Sequence, residues 1–434
     1  MSKFETIRGQ RAASQLALDI ERNTLAPSML FSGPACSGKG VTALELARIL
    51  SCERGATDTN CTCPSCARHK FLSSPDLLVL GAKPFSAEIA AAAAAFRRDT
   101  AKAPLFIRAL KKLLLRFAAV LWEDEPKFGK LSDMVVDLEA DSKEIMGLAN
   151  QDAKKIEKRT AAILKDAVKL ESEGITDAIA IGQIRKAAAW THFAPNGRQK
   201  FLLIENADRM QEGARNSLLK LLEEPPTAVH IALTTEHEQA LLPTILSRLR
   251  PYRFNKRQSE TEASIIAEVF GDNSMGKNIR AYLDSFLPVS GESLRPLAAF
   301  FAASVAINTA ARLNRPGISQ PVELVALGRY TMSIAENAGL GRPALNRRVV
   351  IGKILAGAEN FEIRGLFQRF LRELLTIAGE SWRTSGGSPV YLDIWRQTVS
   401  TAGSAVGSYN QKPSAALDRL GAELSRCMTE QAGL

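Results

Sequence analysis

Aromatic residues make up only 6% of the 434 residues, too few for the aromatic and β-branched cores of sandwiches and barrels, so small aliphatic side chains on helices are expected to fill the interior. Histidine is scarcer still, four in all. His192, His230 and His237 stand in no HExxH or triad arrangement, and each is read as structural. No apolar stretch reaches the ~18 uninterrupted residues of a membrane span; the most apolar runs, residues 90–96, 113–122 and 297–307, fall short. The opening MSKFETIRGQR carries polar and charged residues where a secretory signal has its apolar segment, so a cytoplasmic location is expected. No fixed-period repeat and no base-reading motif is visible. A charged share of 24% with 46% hydrophobic residues excludes a disordered or fibrous chain.

What is present points to several cores, since the length corresponds to roughly three domains at about 150 residues each. Lys and Arg total 56 against 46 Asp and Glu, a net charge of +10. That excess suits contact with a polyanion such as a DNA backbone, read by shape and not by base sequence. Residues 27–31 form a short apolar run, followed by SGPACSGKG and then by VTALELARIL with helical spacing, which reads as strand, tight loop, helix. KFLLI at 200–204 and HIALT at 230–234 are continuous apolar runs ending in polar residues, the pattern of buried parallel strands whose carboxyl ends face a site. A helix is expected over 211–222 until Pro225 and Pro226 stop it.

Residues 85–173 are strongly helical in composition and include PLFIRALKKLLLRFAAVLW. They are expected to form two or more helices inserted into the α/β unit. Their basic amphipathic face could meet a membrane or nucleic acid, but packing on a neighbouring helix is the reading preferred. Beyond Arg253 nearly every segment reads as helix, with breaks at GDNSMG, PVSGES, NRPGISQP, GRPA and TSGGSP.

Gly33 to Lys39 satisfies G-x-x-x-x-G-K, with Gly38 as its second glycine. Between a strand and a helix such a loop curls its N–H groups round phosphate, and the lysine reaches the outer phosphates. The usual hydroxyl residue after the lysine, which ligates Mg²⁺, is Gly40 here, and Thr42 would point elsewhere on the helix. At the end of the 200–204 strand stand Glu205 and Asn206. An amide cannot act as a general base, so nucleotide binding is expected with hydrolysis impaired. Cys52, Cys61, Cys63 and Cys66 crowd one loop, whereas Cys36 and Cys427 stand alone. Four thiolates suit a closed structural Zn²⁺ site with no open position, and His69 could replace one of them.

GQRAASQLALDIERNTLAPSMLFSGPACSGKG, the cysteine cluster, IGQIRKAAAWTHFAPNGRQKFLLIENADRM, NSLLKLLEEPP and ILSRLR follow one another in this chain. In that order they resemble the AAA+ subunits of the bacterial sliding-clamp loader, the gamma/tau and delta-prime subunits of DNA polymerase III. The resemblance covers about residues 4–80 and 181–254. It implies an AAA+ P-loop α/β domain with a parallel sheet over 1–253, interrupted by a zinc module at about 52–66 and the helical insertion at about 85–173. A helical lid over 254–315 and a C-terminal helical oligomerisation domain over 316–434 would follow.

Carried over residue by residue, Gly33, Gly38 and Lys39 match the phosphate loop, and Glu205 with Asn206 match the family's Asp-Glu pair. Thr235 falls at the first sensor position and Arg295 resembles the second sensor arginine. Ser247-Arg248-Leu249 stands for Ser-Arg-Cys, and the resemblance makes Arg248 a finger reaching a neighbouring subunit's nucleotide. The family's zinc module has two residues between its second and third cysteines where this chain has only Thr62. The loss of the hydroxyl at 40 and the acid at 206, with Arg248 kept, favours a delta-prime-like stator whose own ATPase is weak or absent. Its partners would be gamma/tau-like and delta-like subunits, the sliding clamp and primed DNA. Two rivals are an active gamma/tau-like motor, with Asp208 activating water, and a DNA-binding scaffold that uses the insertion.

Overall fold

The structure is a computed structural model that describes residues 7, 9–55, 60–82, 85–126, 128–176, 178–273, 278–287, 291–314, 320–343, 347–356, 363–385, 389–407 and 412–431. The expected breaks at GDNSMG, PVSGES, NRPGISQP, GRPA and TSGGSP lie wholly or partly outside these residues. Five parallel strands form one sheet: β1 (Ser28–Ser32), β2 (Leu77–Gly81), β3 (Lys200–Glu205), β4 (Val229–Thr235) and β5 (Arg250–Arg253), in the order β2-β3-β4-β1-β5. The three apolar runs read from the sequence are β1, β3 and β4. With helices on both faces and a helical C-terminal region, this is the AAA+ α/β architecture that the resemblance implies.

Side chains alternate across the sheet with period two. Met29, Phe31, Val79, Phe201 and Leu203 enter one core, with Ala43, Leu46 and Ala47 of the helix Lys39–Leu50. Leu30, Leu78, Leu80, Leu202, Ile204 and Leu233 enter the other. That second core is covered largely by the insertion, which contributes helices at Ser86–Arg98, Ala103–Leu114, Ala119–Trp122, Ser132–Leu148 and Ala153–Gly174. Phe106, Ile107, Leu110, Leu113 and Leu114 share the buried face of the second of these, each worth roughly 1.5–3 kcal/mol relative to exposure. Its basic side chains are engaged as well, Lys111 with Glu139 and Lys112 with Glu88. The apolar face of PLFIRALKKLLLRF is therefore spent on the protein's own core.

The chain divides into two compact units, residues 1–286 and 287–434. The division falls within the span expected as a lid. Ile266, Phe270, Ile279 and Tyr282 pack against Ala91 and Ala95 of the insertion in the first unit. The helix Gly291–Leu313 belongs to the second unit and touches Val322–Asn337, Ile363–Ser385 and Pro413–Gln431 there. Its segment Leu294–Leu313 is long and apolar enough to cross a membrane, although Arg295, Ser304, Asn308, Thr309 and Arg312 interrupt its apolar run. Leu297, Phe300, Phe301 and Val305 are buried in this unit's own core, as befits the central helix of a bundle.

Candidate functional site

β1 delivers the chain into the loop from Gly33 to Gly38, and the helix Lys39–Leu50 begins at its far end. Gly33 N–H donates to the carbonyl of Thr235 (3.2 Å), joining the loop entrance to the end of β4. Gly38 caps the helix with φ 99°, a region closed to most L-residues. The Lys39 side chain is buried, and its Nζ donates to the carbonyls of Gly33 and Pro34, both at 2.6 Å. Its charge is thereby held inside the loop. Thr42 Oγ1 donates back to the Gly38 carbonyl (2.9 Å) and so does not stand in for the hydroxyl missing at 40. Arg257, which follows β5, lies across the loop: it donates to the Cys36 carbonyl (2.8 Å), and a Cβ at Gly38 would come within 2.6 Å of its guanidinium.

Glu205 ends β3 beside the loop, but its carboxylate is ion-paired with Arg116 and both side chains are buried. Arg116 comes from a 3₁₀ turn, Leu115–Phe117, directly after the insertion helix Ala103–Leu114. Its guanidinium lies 4.9 Å from the centre of the Phe85 ring, and its carbonyl accepts a bond from Trp122 Nε1 (2.7 Å). Burial pulls the pKa of this guanidinium down and the Glu205 charge opposes that pull. A Cβ at Gly40 would sit 2.4 Å from Glu205 Oε1, so the carboxylate fills the space where a side chain at 40 would begin.

Asn206 adopts φ 53°, a left-handed conformation that asparagine tolerates, and its amide donates to the Ala82 carbonyl (3.2 Å). Thr235 Oγ1 donates to Asp208 Oδ1 (2.7 Å) and accepts from His237 N–H (3.0 Å). The Asp208 oxygen a motor would need as a base is thus engaged by a hydroxyl. Divalent metal does not fit this arrangement. The hydroxyl ligand is absent, the carboxylate already holds a cation, and Asn206 faces a backbone carbonyl.

Removing one partner of a buried pair strands the other charge. Glu205→Ala is expected to cost about 3–5 kcal/mol, and Glu205→Leu combined with Arg116→Met much less than the two single changes together. Equilibrium urea unfolding of the singles and the double checks this; additive costs would show that the two groups do not interact.

Arg248 sits just beyond the short helix Pro243–Leu246, which Pro243 starts. Its guanidinium donates to the Thr244 carbonyl (2.7 Å) and to Glu223 (2.8 Å), at the end of the helix Glu212–Glu223, and the side chain is 34% exposed. Arg295 belongs to the second unit, where it is bound to Glu380 and to the Tyr330 hydroxyl (3.2 Å).

Cys52, Cys61, Cys63 and Cys66 are buried with their sulfurs all within 4.8 Å of one another. Cys52 lies 3.7 Å from Cys61 and 3.9 Å from Cys63, close to the ~3.8 Å that tetrahedral Zn–S bonds of about 2.3 Å require. Cys63 caps the helix Pro64–Lys70, and its sulfur accepts from Cys66 N–H (3.4 Å). Cations surround the group: Arg48 donates to Cys66 Sγ (3.1 Å), Lys70 to the Cys61 carbonyl (2.9 Å) and Arg198 to the Cys52 carbonyl (3.0 Å). Such a shell offsets the negative charge of a metal held by four thiolates, so the donor set can hold a metal ion. His69 is buried with both ring nitrogens lacking hydrogen-bond partners, and burial pushes its pKa down to about 4. It stands outside the four-sulfur group.

Arg116, Arg257 and Arg48 were not picked out from the sequence. Arg116 carries a signal in retrospect, as the lone charge inside the apolar run at 113–122.

The family model described as DNA polymerase III, delta subunit matches residues 9–116 and 118–258, more than half of the chain. The chain is 38% identical over 85 residues to the DNA polymerase III subunit delta' of Bacillus subtilis, covering 19% of this chain and 26% of that protein. It is 40% identical over 55 residues to the uncharacterized protein MG007 homolog of Mycoplasma pneumoniae, covering 13% and 22% respectively. The matches therefore span about a quarter of those relatives' lengths. A crystal structure of a DNA polymerase III gamma subunit-related protein from Thermotoga maritima aligns over 59% of this chain and 80% of its own, at 19% identity and a TM-score of 0.29.

Proposed function

The chain belongs to the family described as DNA polymerase III, delta subunit, and within it we propose a delta-prime-like stator of the sliding-clamp loader. It does not cleave its own triphosphate; it lends Arg248 to the nucleotide site of a neighbouring ATPase subunit while the clamp is placed on primed DNA. The observation that carries this reading is a contrast between two ends of one domain. At the loop, Glu205 is neutralised by Arg116, Gly40 has no hydroxyl and Asn206 is turned to the Ala82 carbonyl. At Arg248, a guanidinium is held at the surface by the Thr244 carbonyl, the Ser247 hydroxyl and the exposed Glu223 carboxylate, and a phosphate can displace the surface ion pair at little cost.

Phosphoryl transfer needs a positioned nucleophile and charge stabilisation on the γ-phosphate. In this reading the chain lacks the first for its own site and offers the second to another. Lys39 and the loop N–H groups retain the means to hold a polyphosphate, and Thr235 orders Asp208 beside it. Arg295 is assigned to the second unit's own packing, through Glu380. The metal proposed for the four cysteines is Zn²⁺, which staples the loop between the helices Lys39–Leu50 and Pro64–Lys70. The partners proposed are gamma/tau-like and delta-like subunits, the clamp and DNA, and the compartment is the cytoplasm.

A steady-state ATPase assay on the isolated chain tests the first half of the proposal. Turnover is expected at background and unchanged by Lys39→Ala. A rate of about 1 s⁻¹ or more, within the ordinary enzyme range and abolished by that substitution, would make the chain a motor.

A further inference from the structure

The insertion plays no part in the role given to Arg248, yet it supplies the cation that lies against the carboxylate at the end of β3. Glu205 is the acid at the position where this class of loop normally finds its metal ligand, and Arg116 already holds it. The pair is sealed: Arg116 is 5% and Glu205 7% exposed, with Phe85 stacked under the guanidinium and Trp122 bonded to the Arg116 carbonyl. Gly40 completes the arrangement, because any side chain there would collide with Glu205 Oε1. The missing hydroxyl and the guanidinium are therefore two parts of one change. A side chain at 40 requires Glu205 Oε1 to shift, and the buried ion pair that Glu205 makes with Arg116 through its other oxygen resists that shift.

We infer that Arg116 is a built-in replacement for the divalent ion, so that the Gly33–Lys39 loop takes a nucleoside polyphosphate without metal. Two further cations lie at the loop to meet such an anion. Lys39 would exchange the carbonyls of Gly33 and Pro34 for phosphate oxygens, and Arg257 already spans the loop at Cys36. This inference depends on reading Gly33–Lys39 as a phosphate loop, and it is independent of Arg248: failure of the trans-arginine experiment leaves it standing, and the reverse holds too.

The test uses the full chain with its cysteine site loaded and Mn²⁺ as a paramagnetic probe, measured by electron paramagnetic resonance with and without ADP. A metal and a nucleotide that share a site raise each other's affinity by the same factor. For the wild-type chain that factor is expected to be one, with ADP titrations plotted against free ADP superimposing with Mn²⁺ and with no divalent ion added. Arg116→Gln removes the guanidinium from Glu205, and a factor of about fivefold or more is expected to appear and to vanish again in Arg116→Gln with Glu205→Gln. Arg116→Lys, which keeps the cation, should behave as wild type. Mn²⁺ held by the wild-type chain and lost in Glu205→Gln overturns the inference, as does a folded Arg116→Gln chain in which no coupling appears. Should Arg116→Gln not fold, the wild-type measurement decides alone.

Discussion

Arg248→Ala is expected to lower ATP turnover at the neighbouring subunit's site by about 10³-fold or more, the range that a trans-acting arginine supplies to phosphoryl transfer, while the assembly still forms. The chain's own stability should change by no more than about 0.5 kcal/mol, because the pair that Arg248 makes with Glu223 is a surface pair. Geometry explains why the side chain is suited to the task. The Thr244 carbonyl and Glu223 hold it near the exit of the short helix Pro243–Leu246, so little rotamer freedom remains to be lost when phosphate replaces Glu223. Arg248→Lys should recover only part of the rate, since an ammonium lacks the planar fork that binds two oxygens at once. Glu223→Ala should leave turnover intact or raise it slightly. Reconstituted clamp loading with a hydrolysis readout distinguishes these outcomes; hydrolysis unaffected by Arg248→Ala removes the residue from the mechanism.

Loss of the metal proposed for the four cysteines is expected to perturb the cysteine loop strongly. Structural zinc in isolated modules is bound with about 10–16 kcal/mol of apparent free energy at neutral pH. Here part of the segment is also anchored by Leu46, Ala47 and Leu72 in the sheet's core. A strong chelator or Cys66→Ser is therefore expected to release the metal and expose residues 52–70 to proteolysis, with the sheet left folded. Metal analysis should find one zinc per chain, retained by Cys36→Ser and Cys427→Ser and lost by Cys61→Ser and Cys66→Ser. Full zinc content in Cys66→Ser, with Cys66 surrounded as it is by Arg48 and the other three thiols, would reject a four-cysteine site. His69→Ala separates the alternative ligand: it should leave the metal in place, because its ring stands outside the sulfur group.

Four cysteines in one loop, a glycine-rich turn between an apolar run and a helix, and LLKLLEEPP ahead of ILSRLR are short-range patterns. Each could be read because the residues that define it are neighbours along the chain. β1, β3 and β4 were legible for a related reason: a strand buried on both faces needs a continuous apolar run, and each of them has one. β5 carries no such run, because RPYR is exposed except at Tyr252 and Tyr252 is held by its pairing with β1. β2, LLVLG, has the run but lies close after the cysteine loop, with only five residues to mark it.

The sequence by itself determined the phosphate loop with its missing hydroxyl, the amide at 206, the four thiols and the placement of Arg248 after the LEEPP helix. Only the tertiary structure decided what became of Glu205. Arg116 lies 89 positions earlier in the chain, in a segment whose periodicity announces no more than an amphipathic helix, and its charge finds Glu205 only once the insertion has packed on the sheet. Apolar phase and turn chemistry act between near neighbours and leave their mark in the order of residues. The partner of a buried charge is chosen by which helix end the folded core brings to it, and that choice is written in no local pattern.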